Sequence, residues 1–138
     1  MGKGVTYLNP PNATPPAGMY SHVARMTPGE VAFIAGQVAV DKSGTPVGVG
    51  DLAAQVEQVF ANLGGILKDL GADFECVVQF TTYLTSADSI PVWMSARSAL
   101  FPKLFPGGKY PPNTQLVIDR LVKPEFLVEV AAIARLPG

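Results

Sequence analysis

Apolar and polar positions follow two different periods along the chain, and these periods predict where helices and strands lie. In residues 51–71, leucine, valine, isoleucine and phenylalanine recur every three or four positions, which is typical of an amphipathic helix. Asp51 can cap the start of this helix, and Gly71 suits the position just after its end. A second helix is predicted over residues 90–101, with Pro91 in its first turn. Stretches rich in β-branched and aromatic residues predict five strands, over residues 19–26, 31–40, 75–85, 114–121 and 126–134.

The beginning of the chain shows no such period. Residues 8–18 contain four prolines, and we interpret residues 1–18 as an extended N-terminal arm. A length of 138 residues suits one domain. We therefore expect a single domain over residues 1–138 that includes this arm.

The order of the predicted elements favours an α+β fold. The order is two strands, a helix, a strand, a helix and two strands. A mixed sheet with both helices packed on one face accommodates this order best. The central strand carries apolar or aromatic side chains on both of its faces, so the face without helices is poorly suited to water. Charged residues make up only 15% of the chain, against roughly a quarter in a typical domain. Both observations predict an oligomer in which sheet faces meet.

Charge and cysteine content exclude several classes of protein. The net charge is −1 and the pI is about 5.7, and no run of lysine or arginine provides the basic surface of a nucleic-acid binder. Cys76 is the single cysteine, which excludes an intrachain disulfide and a multi-cysteine metal site. No segment approaches the roughly 18 apolar residues of a membrane span. We expect a cytoplasmic protein with no metal, no cofactor, and neither nucleic acid nor membrane as a partner.

Few side chains stand out as chemical groups. His22 is the only histidine, and a hydrogen-bonded strand residue is a simpler interpretation of it than a general base. Glu129 lies in the otherwise apolar segment FLVEVAAIA. Its carboxylate either faces solvent or lies in a pocket, where desolvation would raise its pKa and suit it to acid–base chemistry. Gly36 interrupts a strand, which indicates a bulge or a close backbone approach.

Three segments, in order, carry a resemblance to a known family. They are YSHVAR…VAFIAGQVAVD, DLAAQVEQVFANLGGILKDLGADFECVVQFTTYLT and LVIDRLVKPEFLVEVAAIA. They resemble the corresponding parts of the RidA (YjgF/YER057c/UK114) family, and the last resembles its closing hairpin. The resemblance implies a chorismate mutase-like fold and a homotrimer with small-molecule clefts between its subunits. It also implies hydrolysis of reactive enamines and imines, such as 2-aminoacrylate, to a 2-oxo acid and ammonia, without a metal or cofactor.

The resemblance also implies roles for individual residues. Glu129 matches the glutamate that orients the attacking water, and is the expected catalytic residue. Tyr20 matches the site tyrosine, and Gly36 the glycine of a Ser-Gly-Gln bend. Asn113 occupies the position of the arginine that holds a substrate carboxylate, and Gln115 is assigned with it to the substrate-binding surface.

Asn113 is the main departure from the family pattern. An amide makes single hydrogen bonds, whereas a guanidinium clamps a carboxylate through two. We therefore expect a RidA-like trimer of altered substrate range rather than a standard 2-imino acid deaminase, unless another arginine such as Arg25 or Arg97 reaches the cleft. A non-catalytic trimer that senses a ligand or binds a protein is the alternative. The acidic pI and the single histidine argue against ribonuclease activity.

Overall fold

Residues 3–138 are described by the computed structural model of the chain, and they form two sheets and two long helices. The helices are α1 (Leu52–Asp69) and α2 (Ile90–Leu104). The strands are β1 (Val5–Leu8), β2 (Val23–Met26), β3 (Val31–Gln37), β4 (Val77–Leu84), β5 (Asn113–Val117) and β6 (Val128–Arg135). Single 3₁₀ turns at Phe74–Cys76 and Ala87–Ser89 precede β4 and α2. The predicted α+β class, with two helices packed on a mixed sheet, is confirmed.

A two-stranded hairpin replaces part of the predicted arm. Strand β1 pairs antiparallel with β2 over all four of its residues, and this pair forms a small sheet of its own. The interpretation of residues 1–18 as an extended arm is therefore wrong for residues 5–8. Four residues between a glycine and a proline-rich loop are too few for a period to be visible. Met1 and Gly2, which belonged to the same interpretation, lie outside the described residues.

The main sheet has the order β3-β6-β4-β5, so β6 lies between β3 and β4. Strand β6 is antiparallel to both neighbours, whereas β5 pairs in parallel with β4. The expected closing hairpin is therefore wrong, because β5 and β6 lie on opposite sides of β4. Helix α2 provides the long connection that a parallel pair needs, and this connection sends β5 to the outer edge of the sheet.

Helix α1 begins and ends where its sequence predicts. The carboxylate of Asp51 accepts a hydrogen bond from the backbone N–H of Ala54 at 3.1 Å, as an N-cap does. Gly71 follows the C-cap with a φ of 73°, a conformation that suits glycine. Helix α2 runs three residues past its predicted end at Phe101 and contains Pro102. Within residues 3–138, neither helix is long and apolar enough to cross a membrane.

Aromatic side chains fill the layer between the helices and the sheet. Phe60 of α1 meets Phe80 of β4 and Phe101 of α2 edge to face, with ring centroids 5.6 and 5.4 Å apart. Helix α1 lies over β3 and β6, whereas Phe101 rests on Phe80 with ring centroids 6.0 Å apart. Tyr110, at the entry to β5, packs against the same Phe101. Helix α2 therefore covers the β4–β5 half of the sheet.

The opposite face of the main sheet carries no helix and keeps apolar side chains exposed. Phe33 is 78% exposed, and it lies in register with Ile133 of β6. Ala131 and Thr81, also in register with each other, continue this surface. We call it the open face. An exposed phenylalanine beside other apolar groups is typical of a surface that another molecule covers.

Gln55 connects α1 to the chain that enters β6. Its amide nitrogen donates to the carbonyls of Gly48 and Glu125 at 3.1 and 2.9 Å. Its oxygen accepts from the N–H of Leu127 at 2.9 Å, and the side chain is 1% exposed. Since β6 starts at the next residue, this buried amide helps to fix the position of Glu129.

We expect Gln55→Met to lower the free energy of unfolding by at least about 2 kcal/mol, because buried backbone groups lose their partners. Urea denaturation at fixed protein concentration measures the change. Lys68→Met, on the exposed side of the same helix, is the control and should stay within about 0.5 kcal/mol of the wild type. Equal stability of the two variants would contradict the role of Gln55.

Candidate functional site

Gly36 and Glu129 lie against each other on neighbouring strands. The β3–β6 register shifts between Ile34 and Gln37, so Gly36 lies in a bulge. A Cβ atom at this position would overlap the carboxylate of Glu129. Both structural readings of this glycine, the bulge and the close approach, are therefore confirmed. Only glycine leaves room for the glutamate in its present position.

Glu129 points to the open face of the sheet. Its strand neighbours Val128 and Val130 are buried under the helices, whereas Glu129 alternates to the other side, in register with Tyr83. Partial burial raises the pKa of Glu129, and no charged neighbour contributes to the shift. In the single chain this carboxylate is thus partly buried, between full exposure to solvent and enclosure in a pocket.

Asn113 begins β5 and points to the other side of the sheet. It lies in register with the fully buried Phe80, beneath α2. Its Oδ1 accepts a hydrogen bond from the hydroxyl of Thr82 at 3.0 Å. Its Nδ2 is buried and has no hydrogen-bond partner among the described residues. A buried donor without an acceptor costs about 1–3 kcal/mol, so this amide has unused binding capacity.

Gln115 shares the side of Asn113, because the two residues are separated by one position of the same strand. It lies in register with Thr82 and is half-buried. Strand β4 separates both of these amides from β6. A single chain therefore places Asn113 and Gln115 on one face of the sheet and Glu129 on the other.

Tyr20 lies in the loop before β2. Its hydroxyl oxygen accepts a hydrogen bond from the N–H of Ala17 at 3.1 Å, and its ring meets the ring of His22 edge to face. Nε2 of His22 is 2.6 Å from the carbonyl oxygen of Thr14. Because a carbonyl only accepts, this nitrogen carries a proton and the imidazole serves the loop. His22 is therefore hydrogen-bonded as expected, but it lies just before β2 and not within a strand.

Arg97 is a charged residue whose position in the fold the sequence does not predict. It comes from α2, is only 5% exposed, and its Cζ lies 5.9 Å from the centre of the Trp93 ring. A Cβ atom at Gly18 would lie 2.6 Å from its Nη2, so the Tyr20 loop passes directly over the guanidinium. Burial lowers the pKa of Arg97, and Tyr20 is close enough to act on it electrostatically.

One sequence signal identifies Arg97 in retrospect. Trp93, Arg97 and Phe101 are spaced four residues apart, and all three lie on the buried stripe of α2. A charged residue within such a stripe is unusual and indicates a specific partner. Arg25, the other arginine considered, is exposed on β2.

The described residues hold no group of three or more histidine, cysteine, aspartate or glutamate side chains with the spacing of a metal site. Cys76 is a free, fully buried thiol, and burial raises its pKa. The polar groups available to a ligand are therefore the carboxylate of Glu129 and the amide, phenol and guanidinium groups described above.

The raised pKa of Glu129 predicts how stability depends on pH. The folded protein holds this proton more tightly than the unfolded chain does. The stabilisation that comes from this tighter proton binding is therefore fully present below the ordinary pKa of 4.5. It is lost as the pH rises through the higher pKa of Glu129 in the folded protein. We expect the free energy of unfolding of Glu129→Gln to rise relative to that of the wild type between about pH 4 and pH 7. Denaturation of both proteins at the same fixed concentration measures this difference. An equal trend in Glu30→Gln, which removes an exposed carboxylate, would contradict this.

Comparisons of sequence identify relatives over most of the chain. Residues 11–136 match the family model of endoribonuclease L-PSP. A RutC family protein of Pyrococcus abyssi is 30% identical over 134 residues, which is 97% of this chain and 98% of that protein. A RutC family protein of Synechocystis is 33% identical over 106 residues, covering 76% of this chain and 78% of the relative.

Solved structures show the same architecture. The Rid family protein YyfB of Yersinia pestis, whose function is unknown, superposes with a TM-score of 0.86 at 33% identity, over 96% of this chain and 99% of that one. RidA of an Antarctic Psychrobacter gives a TM-score of 0.67 at 24% identity, over 95% and 99% of the two chains, a likeness of fold alone. With a family match that extends over residues 11–136, this chain belongs to the endoribonuclease L-PSP family, which is the RidA family that its sequence resembles.

Proposed function

We propose that the protein is a homotrimer that binds a small molecule in clefts between its subunits. The observation that carries this proposal is the separation of the expected site residues within one chain. Glu129 and Gly36 lie on the open side of the sheet, whereas Asn113 and Gln115 lie on the helix side. A second copy is needed to bring both groups to one ligand. The apolar open face around Phe33 supports association, because its burial removes apolar surface from water.

The reaction we propose is hydrolysis of a carbon–nitrogen double bond, in an imine or in the imine form of an enamine. Water adds to the carbon and gives a carbinolamine, whose C–N bond then breaks to leave a carbonyl compound and ammonia. Glu129 suits both steps, because a carboxyl group with a raised pKa can take a proton from water and return one to the departing nitrogen. Gly36 gives this carboxylate its place beside β3.

Asn113 sets the substrate range in this proposal. Its oxygen is already engaged by Thr82, so Nδ2 remains as a single donor. One neutral donor suits a carbonyl or amide oxygen, whereas an arginine at this position would hold a carboxylate through two charged hydrogen bonds. We therefore propose that substrates differ from those of the standard 2-imino acid deaminases, with Tyr20 and Gln115 completing the contacts.

A trimer that binds a ligand or a protein without catalysis is the second candidate. The open face is apolar around Phe33 and Ile133, and the carboxylate placed on it here is that of Glu129. A surface of this kind suits recognition as well as chemistry. In that case replacing Glu129 would leave both ligand affinity and turnover unchanged.

RNA cleavage, which the name of the matched family model mentions, is not part of the proposal. The only histidine, His22, is held by the carbonyl of Thr14. The pI is about 5.7 and the sequence has no run of lysine or arginine, so the chain lacks the basic surface that RNA phosphates need.

The trimer is tested by analytical ultracentrifugation. We expect the wild type to sediment at micromolar concentration with three times the subunit mass of 14.5 kDa. Phe33→Glu should shift the species toward the monomer, because it places a charge in the proposed apolar interface. Val92→Glu is the matched control, since Val92 is 43% exposed on the helix side. A monomeric wild type would contradict the proposal.

The reaction is tested by release of ammonia from a freshly generated neutral imine. We expect Glu129→Gln to lower the rate by at least about 100-fold, because proton transfer by a positioned carboxylate contributes about that much. Glu30→Gln removes an exposed carboxylate and should leave the rate unchanged. Equal rates in wild type and Glu129→Gln would favour the non-catalytic candidate.

A further inference from the structure

A hollow of about 310 Å³ lies on the open face, where β3, β6 and β4 run side by side. Small side chains at Ala35, Thr81 and Ala131 leave this space, and Ala131 and Thr81 are in register with each other. Phe33 and Ile133, also in register, border it at one end. We call it the open-face hollow. Since an apolar cavity of about 150 Å³ is enough for a benzene ring, the hollow has room for a group of that size.

The carboxylate of Glu129 stands next to the other end of the open-face hollow. Along β6 the residues that share the open face are Ile133, Ala131 and Glu129, in that order. Residues two apart on a strand are separated by roughly 7 Å. A molecule whose reacting carbon lies at Glu129 therefore reaches the space above Ala131 with a substituent only a few atoms long.

The side chains around the open-face hollow are all uncharged. Phe33, Ala131 and Ile133 are apolar, whereas Gln79 and Thr81 are neutral polar residues on the β4 side. Three other hollows in the described part of the chain each include lysine together with aspartate or glutamate. Moving an apolar group from water into the open-face hollow is favourable, whereas a carboxylate there loses hydration without gaining a cation. The hollow therefore favours an apolar, neutral occupant.

The open-face hollow lacks a cover in the single chain. Phe33 at its border is 78% exposed. In the proposed trimer a neighbouring subunit covers the open face, so the hollow becomes a pocket beside Glu129. Enclosure increases the apolar area that an occupant removes from water, and with it the affinity.

We propose that the open-face hollow binds the apolar side chain of the substrate, an arylmethyl or branched alkyl group on the imine carbon that faces Glu129. This rests on the proposed function, because it names the substrate class of the same cleft. The substrate is then a neutral imine with a large apolar substituent, which agrees with the single neutral donor of Asn113. Ala131 determines specificity, because a larger residue at its position fills the hollow.

Binding is tested with phenylacetamide and acetamide, which share an amide and differ by one ring, in calorimetric titrations of the full-length protein. We expect the wild type to bind phenylacetamide at least about tenfold more tightly than acetamide, because the ring leaves water. Ala131→Leu should bind phenylacetamide at least about tenfold more weakly than the wild type does. Ala99→Leu makes the same change at an exposed position of α2 and should bind it as the wild type does.

Sedimentation of Ala131→Leu separates a ligand from a neighbouring subunit as the occupant of the hollow. We expect this variant to keep the oligomeric state of the wild type. Dissociation would show that side chains of the neighbouring subunit fill the hollow, and would overturn the proposal. Undiminished binding of phenylacetamide by Ala131→Leu would overturn it as well.

A measurement on the wild type does not depend on how the variant folds. The NMR signal of the Ile133 δ1 methyl group, identified by its loss in Ile133→Val, should shift when phenylacetamide is added and stay in place with acetamide. The corresponding signal of Ile66, on α1, should not move with either probe. An Ile133 signal that phenylacetamide leaves in place would overturn the proposal.

Turnover separates this proposal from the proposed function. With freshly generated imines of phenylacetaldehyde and acetaldehyde, we expect the wild type to favour the former in kcat/KM by at least about tenfold, and Ala131→Leu to remove most of this preference. Glu129→Gln should lower kcat on both imines. Phenylacetamide binding that depends on Ala131, without ammonia release from either imine, would overturn the proposed reaction alone. Ammonia release with a preference that Ala131→Leu leaves intact would overturn the role of the hollow alone.

Discussion

The position of β6 between β3 and β4 is the constraint from which most of the site geometry follows. It brings Glu129 across from Gly36, and the bulge of β3 with its missing side chain gives the carboxylate its space. It also fixes which face each residue takes, because residues in register across β6, β4 and β5 share a side. Glu129 and Asn113 are consequently directed to opposite faces by the same hydrogen-bond ladder.

The place of Asn113 on the helix side of the sheet changes the interpretation that its sequence position suggested. On sequence alone, an amide in place of an arginine reads as the loss of a positive group. In the fold, Asn113 is engaged with Thr82, and Arg97 of α2 lies beneath the loop that carries Tyr20. The guanidinium of Arg135, by contrast, donates to the backbone carbonyls of Thr27 and Pro28, and so connects segments of the fold.

The fold was largely predictable because helical period, capping residues and strand composition are local properties. Asp51 and Gly71 define α1 without reference to the rest of the chain. The hairpin expected at the end of the chain was wrong because pairing is decided by contacts distant in sequence, with β4 between β5 and β6. The surroundings of Arg97 could not be predicted for the same reason. They come from α2 and from a proline-rich loop whose sequence shows no periodic pattern of apolar residues. The interruption at Gly36, by contrast, could be interpreted as a backbone requirement, although only the structure shows that the carboxylate of Glu129 occupies the space a side chain would need there.

Strand β5 has a consequence for the behaviour of a lone subunit. It pairs with β4 along one side only, and its other side presents five residues of backbone that include the exposed Leu116 and Val117. An unprotected strand edge with apolar side chains is a template for strand addition between molecules. If the proposed trimer covers this edge, assembly also protects the chain against aggregation, and we then expect variants that dissociate the trimer to aggregate more readily.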